Sequence, residues 1–213
     1  MTWMLTITGA IVDLRYMEAA TIDILDIAQG LSQINRYTGQ ASRPYSVAEH
    51  SLLVVELLER QAGATNPNVL LAALMHDAHE AYFGDMSAPL KQTLDMATGG
   101  ALRREEQRVQ SSVLRKFRLI TPFYSSSREI HWADMTALST EREALMPNQG
   151  PTWACTRSYP PVTWKNFEAD GDRDWQHWRA AFLMKFAELD AARQAKAIAL
   201  ASAPLSAAAD ASS

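Results

Sequence analysis

The chain has 213 residues, of which 47% are hydrophobic and 21% charged, and this length and composition fit one globular domain with a sizeable core. Its net charge of −4 includes no block of Lys and Arg, so binding to a nucleic-acid polymer is not expected, and its single cysteine excludes an intramolecular disulfide. Because no apolar run could span a bilayer and no signal-peptide pattern opens the chain, we expect a cytoplasmic protein without a membrane partner.

The first half of the chain begins with an extended arm and continues with helices. Residues 1–20 carry short β-branched runs, which predict this arm and a small hairpin turning at Gly9. Apolar residues at helical spacing predict a first helix over about 24–35. The capping box formed by Ser46 and Glu49 predicts the start of a second helix.

Helical patterns also dominate the rest of the chain. Asn66, followed by a proline, predicts the start of a third helix that runs to Phe83. Further helices are predicted around Lys91, over about 101–119, over about 128–146 and from about 172, with a Pro-rich loop over 147–171. The result is an all-α bundle of six or seven helices with a short N-terminal extended arm.

The domain boundary follows from composition. We expect a single domain over residues 1–190 and an Ala/Ser-rich C-terminal tail over residues 191–213. The composition of the tail is compatible both with an extension of the last helix and with disorder. It carries no residues that indicate chemistry.

Four residues indicate a metal site in this bundle. They are a lone His50 on the second helix, the adjacent His76 and Asp77 on the third, and Asp134 on the 128–146 helix. Imidazole nitrogens and carboxylate oxygens together suit a divalent transition metal. Each residue alone is a weak signal, but three helices packed side by side can aim all four side chains at one point.

Two further acids follow the His-Asp pair. Glu80 comes four residues after His76, so on a continuous helix it lies on the same face, one turn along. There it can position a water or a substrate oxygen. Asp85 lies just past Gly84, in a loop that could close over the site. Acid/base groups beside a metal site are typical of a hydrolase.

These residues, in this order, resemble the HD-domain metal-dependent phosphohydrolase superfamily, and more closely its bacterial 5′-deoxynucleotidase branch. The similar stretches are Ile34-Asn35-Arg36-Tyr37, Ser46–Leu52, His76–Lys91 and Ala133–Leu138. The resemblance covers about residues 20–146. It implies an HD-domain helical bundle that binds a divalent cation such as Mn²⁺, Co²⁺, Zn²⁺ or Mg²⁺.

The resemblance also implies roles for the residues of the site. The metal ligands would be His50, His76, Asp77 and Asp134. Glu80 would orient or activate the attacking water, and Asp85 would hydrogen-bond the sugar or act as proton donor. His79, inside the motif, is expected to lie behind the ligands or at the surface.

The substrate contacts are implied in the same way. Arg36 would contact phosphate, and Tyr37 would pack against the sugar or base, where the branch usually has Trp. Lys91 would offset charge on the phosphate oxygens, and Arg43 is a candidate extra contact for outer phosphates.

Three functions stay open on the sequence. The implied activity is that of a 5′-deoxynucleotidase, which converts a deoxynucleoside monophosphate to the deoxynucleoside and phosphate. The same atoms would serve a dNTP triphosphohydrolase of the dATP type, which releases triphosphate. A third interpretation is a non-catalytic nucleotide-binding protein, which an incomplete ligand set would indicate. The relatives tend to be homodimers or higher homo-oligomers, so we expect a homo-oligomer here.

Overall fold

Ten α-helices and one hairpin form the part of the chain that the computed structural model describes, residues 2–202 without the side chain of Cys155. The helices are α1 (Ile24–Gln33), α2 (Val47–Arg60), α3 (Pro67–Leu74), α4 (Glu80–Phe83), α5 (Ala88–Thr98), α6 (Ala101–Lys116), α7 (Ile120–Ser125), α8 (Ser127–Leu145), α9 (Ala154–Ser158) and α10 (Trp175–Ser202). Short 3-10 turns lie at Ala19–Thr21, Arg36–Gly39 and Glu168–Asp170. The fold is all-α, as predicted.

The N-terminal hairpin confirms the predicted extended arm. Strand β1 (Trp3–Leu5) pairs antiparallel with β2 (Ile11–Asp13). Gly9 adopts φ +84° in the connection, a conformation that favours glycine. The backbone N–H and hydroxyl of Thr8 donate to the Asp26 carboxylate over 3.0 and 2.8 Å, which anchors the hairpin on α1.

The helix starts follow the capping residues read from the sequence. Ser46 Oγ accepts from the Glu49 N–H over 3.1 Å at the start of α2, and Asn66 Oδ1 accepts from the Asn68 N–H over 3.2 Å at the start of α3. The Glu49 carboxylate does not return to Ser46, because it binds the guanidinium of Arg43 instead. The predicted capping box is therefore half formed.

Helix α2 lies at the centre of the bundle, packed against α1, α3, α8 and α10. Its apolar residues Leu53, Val54 and Leu57 are buried, and so is His50 on the same helix. Such close packing on all sides leaves little freedom to reorient a buried side chain. Within residues 2–202, no helix combines the length and apolarity needed to cross a bilayer.

The helix count differs from the six or seven expected. The third predicted helix is broken, since α3 ends at Leu74, tight turns follow over Met75–His79, and α4 begins at Glu80. Two short helices, α7 and α9, were not expected, and α9 lies in the segment predicted as a loop. Helix α10 continues past residue 190 to Ser202, and residues 203–213 of the predicted tail lie outside the described residues.

Gly30 allows α1 to approach α4 closely. A Cβ atom at Gly30 would lie 3.0 Å from the Cα, Cβ and carbonyl oxygen of Ala81, and this backbone cannot swing away. We expect Gly30→Ala to lower the free energy of unfolding by roughly 1–2 kcal/mol, since overpacking exceeds the gain in helix propensity of about 1 kcal/mol. Urea unfolding measures this, with Gln33→Ala on the same helix as a near-neutral control. A more stable Gly30→Ala protein would show that the contact relaxes without penalty.

Candidate metal centre

The four predicted ligand side chains converge from α2, the turn before α4, and α8. One ligand atom from each of His50, His76 and Asp77 lies within 4.8 Å of the others. His76 Nε2 lies 3.1 Å from Asp77 Oδ2. Asp134 Oδ1 lies 3.2 Å from His50 Nε2 and 3.9 Å from His76 Nε2. The structure thus brings the four side chains close together, although His76 and Asp77 lie in a turn and not on the predicted helix.

The orientation of the two imidazoles fits a divalent cation. His76 Nδ1 donates to the Ala73 carbonyl over 2.8 Å, and His50 Nδ1 lies 2.6 Å from Glu141 Oε1. Each neutral ring then directs the lone pair of Nε2 inward, and these two nitrogens are 3.3 Å apart. Two facing lone pairs repel each other, and a cation between them relieves that repulsion. Together with the carboxylates they form a donor set typical of Mn²⁺, Co²⁺ or Zn²⁺.

The centre opens to solvent on its carboxylate side. The His50 side chain is 0% exposed and that of His76 7%, whereas those of Asp77 and Asp134 are 21% and 25% exposed. A molecule from solvent therefore approaches past the two carboxylates, and the imidazoles lie at the buried end of the site.

Both histidines of the centre have a pKa above the usual value for an imidazole. Burial lowers the pKa of His76, but Asp77 and Asp134 raise it more, to about 9. Burial and Arg36 lower the pKa of His50, but Glu141 and Asp134 raise it above its usual value. Protonated imidazoles cannot bind a metal, so protons compete with the cation.

This competition gives a prediction about metal uptake. At pH 7 we expect each bound Mn²⁺ to release about one proton or more, and we expect the affinity to fall as the pH drops below 9. Calorimetric titration of the metal-free protein in two buffers of different ionisation enthalpy measures the release. Equal heats in both buffers would contradict the raised pKa values of His50 and His76.

Gln110 of α6 breaks the helix at the His-Asp pair. Its Oε1 accepts from the His79 N–H over 3.1 Å, and its Nε2 donates to the carbonyls of Met75 and His76 over 2.9 and 2.8 Å. The amide thereby replaces the hydrogen bond that His79 N–H would make to Met75 in a regular helix. Tighter turns replace the regular helix here, and within them His76 and Asp77 reach the same point.

Loss of the Gln110 amide is expected to loosen this turn. Gln110→Ala leaves buried backbone groups without partners, which destabilises a protein by about 1–3 kcal/mol for each group. We therefore expect a melting temperature several degrees lower and weaker Mn²⁺ binding. Gln107→Ala is the matched control, because Gln107 is exposed on the same helix. If Gln110→Ala melted and bound Mn²⁺ like the control, the amide would not hold the turn.

Glu80 lies beside the ligands and is buried. It is 3% exposed, its Oε1 lies 3.3 Å from Lys91 Nζ, and its Oε2 is buried without a hydrogen-bond partner among residues 2–202. Burial raises the pKa of Glu80 well above its usual range, and Asp77 and Asp85 raise it further. The Glu80 N–H donates to the Asp77 carbonyl over 2.9 Å, so a tight turn, rather than the predicted continuous helix face, places Glu80 here.

Asp85 follows α4 directly, after Gly84 with φ +80°. It is half-buried, and burial raises its pKa, although the Arg36 charge opposes that shift. The charges of Arg36 and Asp77 both act on the Asp85 carboxyl group.

Arg36 and Tyr37 form a turn beside the ligands. Arg36 Nη1 lies 3.7 Å from Asp77 Oδ2. The Tyr37 hydroxyl donates to Glu141, and its ring lies 5.9 Å from that of Trp153. Tyr37 and the following residue have φ +59° and +54°, which non-glycine residues rarely adopt, so surrounding contacts hold this turn in place.

The remaining predicted residues have other partners. Arg43 donates to both carboxylate oxygens of Glu49 over 2.6 and 2.9 Å, and its described contacts include none to the four ligands. Lys91 contacts Glu80 and also Glu106, over 3.2 Å. His79 is buried rather than at the surface, and it lines a cavity of about 560 Å³ together with His76.

Two residues of the site were missed by sequence reasoning. Glu141 follows Asp134 by seven residues, two helical turns along the same face of α8, and that spacing could have indicated it. Gln110 carries no such signal, because it lies in the predicted helix over 101–119, where no functional motif was found. Both residues contact parts of the site that lie far from them in the sequence.

Comparison with known proteins agrees with this geometry. The HD domain family model matches residues 47–139, which contain all four candidate ligands. The uncharacterized protein YfdR of Escherichia coli K12 is 35% identical over 139 residues, 65% of this chain and 70% of YfdR. An uncharacterized protein of Rhodobacter capsulatus is 43% identical over 94 residues, 43% of this chain and 48% of that protein. The chain therefore belongs to the HD-domain family, and this membership implies a metal-dependent phosphohydrolase.

Proposed function

We propose that this protein hydrolyses the 5′-phosphate ester of (deoxy)nucleotides and converts a deoxynucleoside monophosphate to the deoxynucleoside and phosphate. The position of Arg36 carries the proposal, because its guanidinium lies 3.7 Å from Asp77 at the edge of the candidate centre. A fixed guanidinium there is placed to bind the phosphate whose oxygens reach the centre.

A divalent cation held by His50, His76, Asp77 and Asp134 would polarise a phosphoryl oxygen and lower the pKa of water. Glu80 would take a proton from the attacking water, whose oxygen forms the new bond to phosphorus. As the bond between phosphorus and the 5′ oxygen breaks, Asp85 would donate a proton to that oxygen. Burial raises the pKa of both acids, which makes Glu80 a stronger proton acceptor and keeps the proton on Asp85 to higher pH.

The surroundings of Tyr37 support a nucleoside as the leaving group. Its ring centroid lies 5.5 Å from the Arg36 guanidinium and 5.9 Å from the Trp153 ring, and such rings pack against sugars and bases. The hydroxyl of Tyr37 is held by Glu141, so the ring has a fixed position.

The environment of Arg43 favours a monophosphate over a triphosphate. Arg43 was the candidate contact for outer phosphates, and the Glu49 carboxylate takes up its guanidinium in a bidentate pair. The complete set of candidate ligands speaks against a non-catalytic binding protein. The dNTP triphosphohydrolase remains the alternative that product analysis would reveal.

The test is hydrolysis by metal-free protein reconstituted with Mn²⁺, Co²⁺, Zn²⁺ or Mg²⁺. Deoxynucleoside and ribonucleoside mono-, di- and triphosphates are offered in parallel, and the products are separated by ion-exchange chromatography. We expect phosphate and nucleoside from monophosphates, and no reaction with excess chelator. Release of intact triphosphate would establish the alternative, and no hydrolysis across the panel would refute both.

A further inference from the structure

Glu141 is a charged residue in the interior of the bundle. Its side chain is 0% exposed, and the Nε atom of the Arg36 guanidinium lies 3.3 Å from one of its oxygens. Burying a carboxylate is unfavourable unless its oxygens are fully paired. The four groups that contact Glu141 therefore indicate the role of its carboxylate.

The two oxygens of Glu141 contact two different parts of the site. Oε1 lies 2.6 Å from His50 Nδ1 and accepts from the Tyr45 hydroxyl over 2.9 Å. Oε2 accepts from the Tyr37 hydroxyl and lies 3.3 Å from Arg36 Nε. One side chain thus joins a candidate metal ligand to the turn that carries the candidate phosphate contact.

Each contact has a consequence for its partner. A carboxylate accepting at His50 Nδ1 keeps the hydrogen on that nitrogen and leaves Nε2 free to bind a cation. The contact to Tyr37 holds a residue at φ +59°, a conformation that persists only when neighbouring contacts fix it. The negative charge also keeps the largely buried Arg36 guanidinium beside Asp77.

We propose that Glu141 is a positioning residue that aligns His50 for metal binding through one oxygen and holds the Arg36–Tyr37 turn for substrate through the other. The second half rests on the proposed function, whereas the first half needs only the metal.

Two substitutions separate the halves. Glu141→Gln keeps an acceptor for His50 but removes the charge that pairs with Arg36, and Glu141→Leu removes both. The matched control is Asp170→Asn, because Asp170 is also a buried carboxylate, paired with Lys165 and Arg173 over 2.9 and 2.8 Å and without a described contact to the site.

Mn²⁺ affinity of the metal-free proteins tests the first half. We expect Glu141→Leu to bind about 10–100-fold more weakly than wild type, and Glu141→Gln and the control to bind like wild type. Wild-type affinity in a folded Glu141→Leu protein would overturn this half.

Nitrogen-15 NMR of the Zn²⁺-loaded proteins also tests the alignment of His50. It needs no activity assay, and it does not depend on the folding of Glu141→Leu. We expect a downfield Nδ1–H proton on His50 that moves upfield in Glu141→Gln, since a neutral acceptor replaces the carboxylate, and stays in place in the control. An unchanged signal in Glu141→Gln would overturn the alignment of His50.

Steady-state kinetics test the second half. The substrate is the monophosphate that wild type hydrolyses. We expect Glu141→Gln to raise KM about tenfold with little change in kcat, because Arg36 loses one charged contact. An unchanged KM would overturn this half. If wild type hydrolyses no nucleotide, the proposed function fails, while metal affinity and NMR still decide the role of Glu141 at His50.

Discussion

Replacement of Asp77 by asparagine is expected to lower kcat/KM by about 10³-fold or more and to weaken Mn²⁺ binding. Asp77 Oδ2 lies 3.1 Å from His76 Nε2, at the centre of the candidate ligand set. A neutral amide removes the negative charge that a divalent cation needs there. A bound metal contributes several kcal/mol to phosphoryl transfer, and each 1.36 kcal/mol changes the rate about tenfold.

The control for Asp77→Asn is Asp190→Asn, which makes the same chemical change in an ion pair with Arg193 on α10. It should hydrolyse substrate and bind Mn²⁺ like wild type. The circular dichroism spectrum of Asp77→Asn should also match wild type, because its carboxylate is partly exposed rather than part of the core. Wild-type activity in Asp77→Asn would exclude this aspartate as a metal ligand.

Replacement of Glu80 by glutamine is expected to lower kcat by about 10²–10⁴-fold without loss of Mn²⁺ affinity. Glutamine has the shape of glutamate, but it cannot take a proton from water. The buried Oε2 of Glu80 has no hydrogen-bond partner among residues 2–202, which leaves it available to a reactant. Stopped assays of phosphate release, combined with calorimetric Mn²⁺ titration, separate chemistry from binding.

The fold should survive this change, because Lys91 retains its second partner, Glu106, over 3.2 Å. Glu106→Gln is the matched control, since it removes the other carboxylate beside Lys91 and leaves Glu80 in place. It should retain most of the activity. An active Glu80→Gln protein, or one that no longer bound Mn²⁺, would contradict the assignment of Glu80 as a proton acceptor.

The parts of the site that follow local rules could be predicted from the sequence. Capping at Ser46 and Asn66 depends on hydrogen bonds between neighbouring residues, and both starts were correct. Asp134 was expected beside His50 because apolar spacing placed both on helices that face one core.

The parts that failed depend on contacts distant along the chain. The third helix is broken at His76 because Gln110, 34 residues later, supplies an amide to its backbone. Glu141 acquires its partners only when α8 packs against α2 and the Arg36–Gly39 turn. The pairing of Arg43 with Glu49 is local, over six residues, but it was not expected from the sequence, in which Arg43 is a candidate contact for outer phosphates.

The most direct measurement of the central claim is anomalous X-ray scattering from a crystal of the Mn²⁺-loaded protein. The claim is that His50, His76, Asp77 and Asp134 form the metal centre of a phosphohydrolase. It predicts a strong anomalous peak within bonding distance of these four side chains, absent in Asp77→Asn. A catalytically active crystal form with Mn²⁺ elsewhere, and none at these residues, would contradict it.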